Sequence, residues 1–282
     1  MRVVSLLPAA TEIVAALGAA GWLVGVSHEC DYPSLVRALP RVTGTALDPA
    51  LPSGAIDRAM AAAQRSGVAP IQIDVGLLRR LAPDLIIGQS LCDVCAIGAT
   101  ELERAVAALD RRPSVVTLHA HDLARVLTDI QRVGEALGLT DEADELVAGL
   151  RYRLRKLSHY ASMPRRPRVL VLEWLDPPYV AGHWVPELVA AAGGVDVGNR
   201  PGARSAARSW RELVALAPDA VVIACCGFDV ARAQGEYESV TDRDARALFA
   251  GRVEFLDGNA YTSRPGPRLV DAAEWLAALI HR

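Results

Sequence analysis

The chain has 282 residues, 51% of them hydrophobic, and can therefore bury one large core or two medium-sized ones. Its formal net charge of −3 argues against a nucleic-acid partner and against binding to an anionic membrane surface. No apolar run approaches the length that a membrane-spanning helix needs.

The N-terminus and the cysteine count bear on the cellular compartment. Residues 1–4 lead at once into a predicted strand, which leaves no room for a signal peptide. The five cysteines are an odd number, which fits poorly with a secreted disulfide framework. We therefore expect a reduced, cytoplasmic protein, or a periplasmic or other extracytoplasmic one if a signal peptide has been removed.

The first half alternates predicted strands and helices. Strands are predicted at 3–7, 23–27, 41–45, 84–88 and 115–118, and helices at 10–17, 55–65, 75–81, 101–109 and 123–137. Strands that alternate with helices favour a mainly parallel sheet.

A long amphipathic helix is predicted over Asp141–Tyr160, near the middle of the chain. Its apolar residues recur every three or four positions, and Thr140 can cap its start. Acidic residues in its first turn and basic residues near its end suit the helix dipole.

The second half repeats the alternating pattern. Strands are predicted at 168–172, 220–224 and 253–256, and helices at 186–192, 210–216, within 237–249, and at 269–280. The segment 173–184 is predicted to be a loop, since it holds two prolines, a glycine and two tryptophans.

The same four-residue motif occurs at corresponding positions in both halves. Leu81-Ala82-Pro83-Asp84 precedes one predicted strand, and Leu216-Ala217-Pro218-Asp219 precedes another. This repeat predicts two Rossmann-like α/β lobes with mainly parallel sheets, joined by the long helix, with a ligand cleft between the lobes. The expected domains are an N-terminal lobe at 1–120, linking helices at 121–163 that include the interlobe helix 141–160, and a C-terminal lobe at 164–282.

Unusual side chains gather in the loops after the predicted strands. In parallel sheets, ligands meet the loops beyond the carboxyl ends of the strands. Those loops are 28–32, 89–95, 173–184, 226–228 and 259–268. Within them, the aromatic residues Trp174, Trp184 and Tyr261 suit a flat, apolar ligand, and His28 and His183 are candidate polar contacts.

The cysteines support an alternative reading. Cys92 and Cys95 form a C-x-x-C pair, Cys30 lies on a neighbouring loop of the same lobe, and Cys226 follows a predicted strand of the second half. Such thiols can bind a metal ion or exchange disulfides. A thiol-rich metal-ion binding or redox-sensing protein is therefore the alternative, and small inert packing residues are the simplest explanation.

Catalytic sequence motifs are missing. The chain has no Gly-rich phosphate loop, G-x-S-x-G or H-E-x-x-H sequence. We therefore predict a binding protein that is not an enzyme and needs no cofactor.

Several motifs resemble one family from end to end. They are Ser5-Leu6-Leu7-Pro8-Ala9-Ala10-Thr11-Glu12, Gly25-Val26-Ser27 followed by Cys30-Asp31-Tyr32-Pro33, the strand opening Leu81 to Ile87, and Arg264-Pro265-Gly266-Pro267-Arg268. These resemble the cobalamin-binding, helical-backbone (class III) substrate-binding proteins of ABC importers. The resemblance implies two α/β lobes, a rigid interlobe helix, and cobalamin or another corrinoid, tetrapyrrole or metal chelate bound in the cleft.

The resemblance also implies site residues, with departures from the family pattern. Glu29 and Gln89 stand where the family has aromatic residues, while Tyr261 keeps an aromatic residue and Trp174 and Trp184 are candidate substitutes. The remaining expected ligand contacts are polar or apolar loop residues: His28, Cys30, Ser90, Cys92, Glu173, His183, Phe228 and Arg264.

The family presents a glutamate on each lobe to the importer's permease. Glu103 matches the first position, whereas the second falls on the uncharged Ser263, beside Arg264. A missing charge weakens electrostatic docking. We therefore expect a small-molecule ligand, no nucleic acid, no membrane insertion, and no importer partner.

Overall fold

The structure is a computed structural model that describes residues 1–66, 69–89 and 99–282, without the side chain of Ala99. The chain divides into two compact units. The N-terminal unit comprises 1–50, 58–120 and 124–148, and the C-terminal unit comprises 51–57, 121–123 and 149–282.

A four-stranded parallel sheet forms the centre of the N-terminal unit. Its strands are β1 (Val3–Ser5), β2 (Leu23–Val26), β5 (Leu85–Gln89) and β6 (Ser114–Leu118), in the order β2-β1-β5-β6. All residues of β1 are buried, as expected for a central parallel strand that is covered on both faces. β3 (Thr43–Thr45) and β4 (Ile71–Ile73) form a separate antiparallel pair.

Helices that belong wholly or largely to this unit surround the sheet. They are α1 (Pro8–Ala16), α2 (Ser53–Ser66), α3 (Val75–Leu81), α4 (Ala99–Ala107) and α5 (Leu123–Leu137), with 3-10 turns at Ala20–Trp22 and Ser34–Ala38. The first residues of α2 and α5 belong to the C-terminal unit. On one face of the sheet, Val4 and Ile86 pack with Leu78 of α3 and Leu102 of α4.

A mixed sheet forms the centre of the C-terminal unit. Its strands are β7 (Arg168–Leu175), β8 (Pro178–Val180), β9 (Val195–Asp196), β10 (Ala206–Ala207), β11 (Ala220–Ile223) and β12 (Val253–Phe255). The order is β10-β8-β7-β11-β12, and β9 pairs with the start of β7. The strands β7, β11 and β12 are parallel, whereas β8 and β10 add an antiparallel edge.

The remaining helices belong largely to this unit. They are α6 (Thr140–Lys156), α7 (Ser158–Ala161), α8 (Val185–Ala191), α9 (Trp210–Ala215), α10 (Val230–Ser239), α11 (Arg243–Phe249), α12 (Gly258–Tyr261) and α13 (Leu269–Ile280). The core includes Leu170, Leu172 and Ile223 from the central strands, with Phe228 from the loop after β11.

The α/β class and the mainly parallel sheets that the sequence predicts are confirmed. The long helix differs in length, since α6 ends at Lys156 and a separate short helix, α7, follows. At the break, the Leu157 amide bonds to the Leu154 carbonyl three residues back, which tightens the last turn. The boundary between the units falls inside α6, after Ala148.

Short edge strands were missed by the sequence analysis. The segment 173–184, predicted as a loop, contains the end of β7 and the antiparallel strand β8. The strand β8 has only three residues and follows β7 after a two-residue turn. A strand of that length is too short for an alternating pattern of apolar and polar residues to be recognised. The predicted helix within 237–249 is two helices, separated near Val240.

The repeated Leu-Ala-Pro-Asp motif occupies equivalent positions in the two units. Each motif opens the strand that pairs in parallel with the first strand of its sheet, β5 with β1 and β11 with β7. Asp84 accepts the backbone amide of Arg2 at 2.9 Å, and Asp219 accepts that of Arg168 at 2.8 Å. In return, each aspartate amide donates to the carbonyl of the same arginine.

The arginine side chains complete this junction. Nε of Arg2 donates to the Leu81 carbonyl at 2.8 Å, and Nη2 of Arg168 donates to the Leu216 carbonyl at 2.7 Å. Both carbonyls lie at a helix end, where backbone acceptors lack a partner within the helix. The Arg168 amide and then the charge of Arg165 hold the pKa of the Asp219 carboxyl below its ordinary value. The motif is therefore a structural joint between a helix and the sheet.

The alanine of each motif has left-handed backbone geometry, with φ of 41° at Ala82 and 44° at Ala217. This conformation ends the helix but brings Cβ too close to the following carbonyl. A branched side chain increases that clash.

We predict that Ala217→Val lowers the free energy of unfolding by about 1–3 kcal/mol, whereas Ala217→Gly does not lower it. The control is Ala250→Val, since Ala250 also follows a helix and is exposed but has φ of −68°. That control should change stability by less than about 0.5 kcal/mol in urea unfolding. Equal losses at both positions would contradict a role for the left-handed geometry.

Candidate ligand-binding site

In the N-terminal unit, the candidate residues His28, Glu29 and Cys30 lie in the loop after β2. Arg41 holds this loop, because its Nη1 donates to the carbonyls of Ser27 at 3.1 Å and Cys30 at 2.6 Å. The Nδ1 of His28 lies 2.7 Å from the Thr43 hydroxyl, which fixes the ring. Glu29 is exposed and His28 is half-buried, so both remain predicted ligand contacts.

Cys30 is 1% exposed, and its Sγ lies 3.1 Å from the Thr11 hydroxyl, which in turn donates to Ser5. A small, buried and hydrogen-bonded thiol packs against neighbours and is closed to solvent. The structure therefore gives Cys30 a packing role, where the sequence predicted a ligand contact or a metal ligand.

The structure describes only some of the other candidate residues of this unit. Gln89 ends β5 and is half-buried, and Glu103 is exposed on α4. Ser90, Cys92 and Cys95 lie outside the described residues.

In the C-terminal unit, an aromatic cluster stands at the carboxyl ends of the central strands. Trp174 near the end of β7 lies 5.0 Å from Phe228, centroid to centroid, and the guanidinium of Arg232 covers Phe228 at 3.5 Å. The indole N–H of Trp174 donates to the Asp176 carbonyl at 3.1 Å. Phe228 is 3% exposed under this cover, while Trp174 is half-buried. Phe228 therefore supports the cluster, and Trp174 is the ring that solvent reaches.

Two adjacent cysteines follow β11 beside this cluster. The Cys226 amide donates to the Glu173 carbonyl at 2.9 Å, which joins the ends of β11 and β7. Cys226 is exposed, whereas Cys225 is buried. Burial raises the pKa of the Cys225 thiol to about 12, so this thiol stays protonated at neutral pH.

The segment 51–57 completes the C-terminal unit beside Arg232. Ser53 donates to the Glu236 carboxylate through its hydroxyl, at 2.5 Å, and through its backbone amide. Arg232 also donates to the Leu51 carbonyl at 3.0 Å, and Ile56 packs against the core of this unit. The sequence analysis missed these contacts, because nothing local in 51–57 marks residues 180 positions away as partners.

Trp184 immediately precedes α8, and it is 5% exposed. Its indole N–H donates to the Thr262 carbonyl at 2.8 Å. A tryptophan that is buried and satisfied in this way is a core residue. The structure therefore gives Trp184 a packing role and not the predicted contact with a ligand ring.

Beyond β12, the other predicted contacts differ in exposure. Tyr261 on α12 is half-buried, with the guanidinium of Arg268 at 5.7 Å from its ring. Arg264 is 4% exposed and donates to the Asn259 side chain at 2.7 Å. Tyr261 remains a predicted ring contact, while Arg264 is held inside the unit.

His183 adopts left-handed geometry, with φ of 55°, and its ring lies 6.3 Å from that of His121. Burial lowers the pKa of His183, and the nearby His121 and Arg204 lower it further, so the ring is neutral at pH 7. The Leu123 amide donates to Glu187 of α8 at 2.7 Å, which ties the segment 121–123 to this unit. His121 was missed, since nothing near it in the sequence marks it.

The described residues do not support the thiol-rich alternative. No group of three or more His, Cys, Asp or Glu side chains in 1–66, 69–89 and 99–282 is placed to hold a metal ion. At the described edge of the C-terminal unit, the half-buried Trp174 and Glu173 lie near the exposed thiol of Cys226.

We predict that iodoacetamide at pH 8 labels Cys226 of the native protein and spares Cys30 and Cys225. The reason is that the latter two are buried and, for Cys225, that its pKa is about 12. Peptide mass spectrometry distinguishes the sites, and labelling in 6 M guanidinium chloride is the control in which all three should react. Native labelling of Cys225 at the rate of Cys226 would contradict the described burial.

Comparisons with known proteins agree with this fold. A family model described as "Periplasmic binding protein" matches residues 3–249. A curated relative, an ABC transporter substrate-binding lipoprotein of Bacillus subtilis, is 25% identical over 99% of this chain and 80% of its own length.

Two solved structures have similar folds. A periplasmic heme-binding protein from Roseiflexus has a TM-score of 0.72 with 24% identity, covering 99% of this chain and 97% of the other. A periplasmic vitamin B12 binding protein of Vibrio cholerae has a TM-score of 0.71 with 22% identity, covering 99% and 96%.

These findings overturn the expected cytoplasmic location. The matched family is one of periplasmic proteins, and the curated relative is a lipoprotein. The expectation rested on the first four residues and on the odd number of cysteines, and neither feature determines the compartment. In the described part of the chain, none of the helices combines the length and apolarity needed to cross a bilayer.

Proposed function

Because this chain belongs to the periplasmic binding protein family, we propose that it is an extracytoplasmic substrate-binding protein of an ABC importer whose ligand is a flat metal chelate of the tetrapyrrole class. A corrinoid and a heme are the two members of that class to test. The family consists of binding proteins, which agrees with the expectation that the chain is not an enzyme.

The observation that carries the choice of ligand is the half-buried ring of Trp174 at the carboxyl end of β7. This ring packs against Phe228, on which Arg232 stacks, and its indole N–H donates to the Asp176 carbonyl. A supported aromatic ring whose polar atom is satisfied offers its apolar surface to a ligand. Stacking on a macrocycle uses that surface at little entropic cost.

The similar structures support the same class of ligand. The Roseiflexus protein is named for heme and the Vibrio cholerae protein for vitamin B12, and both ligands are large rings that hold a metal. The curated relative is named as an ABC transporter substrate-binding lipoprotein, which supports a role in import.

We expect hemin or cyanocobalamin to quench tryptophan fluorescence saturably, with a matching change in visible absorbance. Trp174→Ala should weaken binding of the ligand by about 1–3 kcal/mol, the scale of a lost aromatic contact. Trp275→Ala is the control, because Trp275 is 48% exposed on α13. Unchanged affinity in Trp174→Ala would place the ligand elsewhere, and no binding of either compound would reject the tetrapyrrole proposal.

The sequence analysis disfavoured an importer because the second docking position fell on Ser263. The topology offers a different second position. Glu103 lies on α4, between the paired strands β5 and β6, and the equivalent region of the C-terminal unit lies between β11 and β12. That region contains α10 and α11, where Glu238 is exposed, whereas Ser263 follows β12. We propose Glu103 and Glu238 as the permease contacts.

We predict that Glu103→Arg and Glu238→Arg each weaken complex formation with the importer's permease in nanodiscs by about tenfold at low salt, since like charges repel at a docking surface. Glu135→Arg on α5, another exposed glutamate, is the control and should leave the affinity unchanged. Tight binding by the Glu238→Arg variant would show that α10 takes no part in docking.

A further inference from the structure

Two buried side-chain atoms in the described part of the chain have no hydrogen-bond partner. They are Oδ2 of Asp196 and Nδ1 of His183, both in the C-terminal unit. Native proteins leave few buried polar atoms unpaired, because each costs about 1–3 kcal/mol. Both residues also bond to the same loop of this unit.

A single loop, 197–205, connects them. At its start, Oδ1 of Asp196 accepts the backbone amides of Gly198 at 2.8 Å and Asn199 at 2.9 Å. The Asn199 side chain then donates across the loop to the Arg204 carbonyl at 3.0 Å. The carboxylate of Asp196 therefore determines how the loop begins, and Asn199 determines how it closes.

The far side of this loop holds His183. The His183 amide donates to the Ala203 carbonyl at 2.6 Å, and the Gly202 amide donates to the His183 carbonyl at 2.9 Å. A Cβ on Gly182 would lie 2.4 Å from the Ser205 backbone nitrogen and 2.5 Å from the Ala203 oxygen. Backbone packs directly on backbone here, so a shift of the loop moves His183.

We propose that Asp196 is a positioning residue for His183: its carboxyl holds the start of the loop 197–205, the loop holds the His183 backbone, and the imidazole is thereby placed for ligand binding. This inference rests on the proposed function in one respect, that His183 contacts the ligand. Asp196 itself touches no ligand and acts through the loop.

The direction of the pH effect follows from the environment of the carboxyl. Burial raises the pKa of Asp196 to about 6, against 3.8 ordinarily, although the Asn199 and Gly198 amides act in the opposite direction. A proton therefore binds this carboxyl more tightly in the ordered loop than in a locally unfolded one, where the carboxyl is in water. The ordered loop is most stable below about pH 4, loses stability as the pH rises towards about 6, and has constant stability above that.

His183 gives the opposite slope. Its pKa is lowered by burial, then by His121 and by Arg204, so the buried ring is stabilised above its ordinary pKa of 6.5 and destabilised as the pH falls below it. The two groups act over overlapping pH ranges, so they can be distinguished only by removing one of them.

The test is the pH dependence of amide hydrogen exchange in 198–205, corrected for intrinsic exchange, together with the ring resonances of His183. In the ligand-free protein, protection of the loop should fall at least about fivefold between pH 4.5 and pH 6.5. Asp196→Asn mimics the protonated carboxyl and should abolish this fall. Asp196→Ala removes the acceptor and should lower protection at both pH values.

The matched control is Asp242→Asn. Its Oδ1 also accepts two backbone amides, those of Asp244 and Ala245, but Asp242 is exposed at the start of α11. It should leave both the loop and His183 unchanged.

Hemin affinity is then measured over the same pH range for the wild type, Asp196→Asn and Asp196→Ala. Asp196→Asn keeps an acceptor oxygen and should bind hemin as the wild type does, whereas Asp196→Ala should bind it at least about threefold more weakly. Loop protection or His183 resonances that do not respond to Asp196→Ala would overturn the proposal. Failure of the wild type to bind hemin or cyanocobalamin, with the loop response intact, would overturn the proposed function and leave the positioning role standing.

Discussion

The feature on which both units depend is the joint between a helix end and the first strand of each sheet. An aspartate carboxylate accepts the amide of an arginine, and the arginine side chain returns to the carbonyls at the end of the preceding helix. The joint satisfies groups that would otherwise lack partners at three element ends. It also sets where the second strand begins relative to the first, so it fixes the register of the central pair. Every loop at the carboxyl ends of those strands is placed by that register.

In the C-terminal unit, that register brings Glu173 of β7 beside Cys226 and Trp174 beside Phe228. Rigidity at this edge comes from Arg232, which stacks on Phe228 and bonds to the segment 51–57. A surface that is held from behind loses little freedom when a ring stacks on it. The proposed tetrapyrrole ligand therefore depends on the support of Trp174 as much as on the indole itself.

The sequence predicted most of the regular fold, because long strands and helices carry periodic patterns and the repeated motif marks corresponding elements. It indicated Trp174 as a candidate because this residue follows a predicted strand. It could not distinguish Trp174 from Trp184, since both lie in one Pro- and Gly-containing stretch, and only the bond to Thr262 identifies Trp184 as core. The sequence analysis missed His121 and the segment 51–57 for a different reason. Their partners, His183 and Glu236, are far away in the chain, and no local pattern encodes such pairs.

The segment 51–57 affects the order in which the C-terminal unit can fold and how the gene can recombine. Ile56 belongs to the core of the C-terminal unit although it is made about a hundred residues before the rest of that unit. During synthesis, the segment 51–57 is therefore made before the residues of the C-terminal unit that it contacts. No single cut divides this chain into two self-sufficient modules. Recombination between related genes at the middle of α6 would pair the segment 51–57 of one protein with the Arg232 and Glu236 of another. Of these contacts, the bond between the Ser53 hydroxyl and Glu236 depends on both side chains.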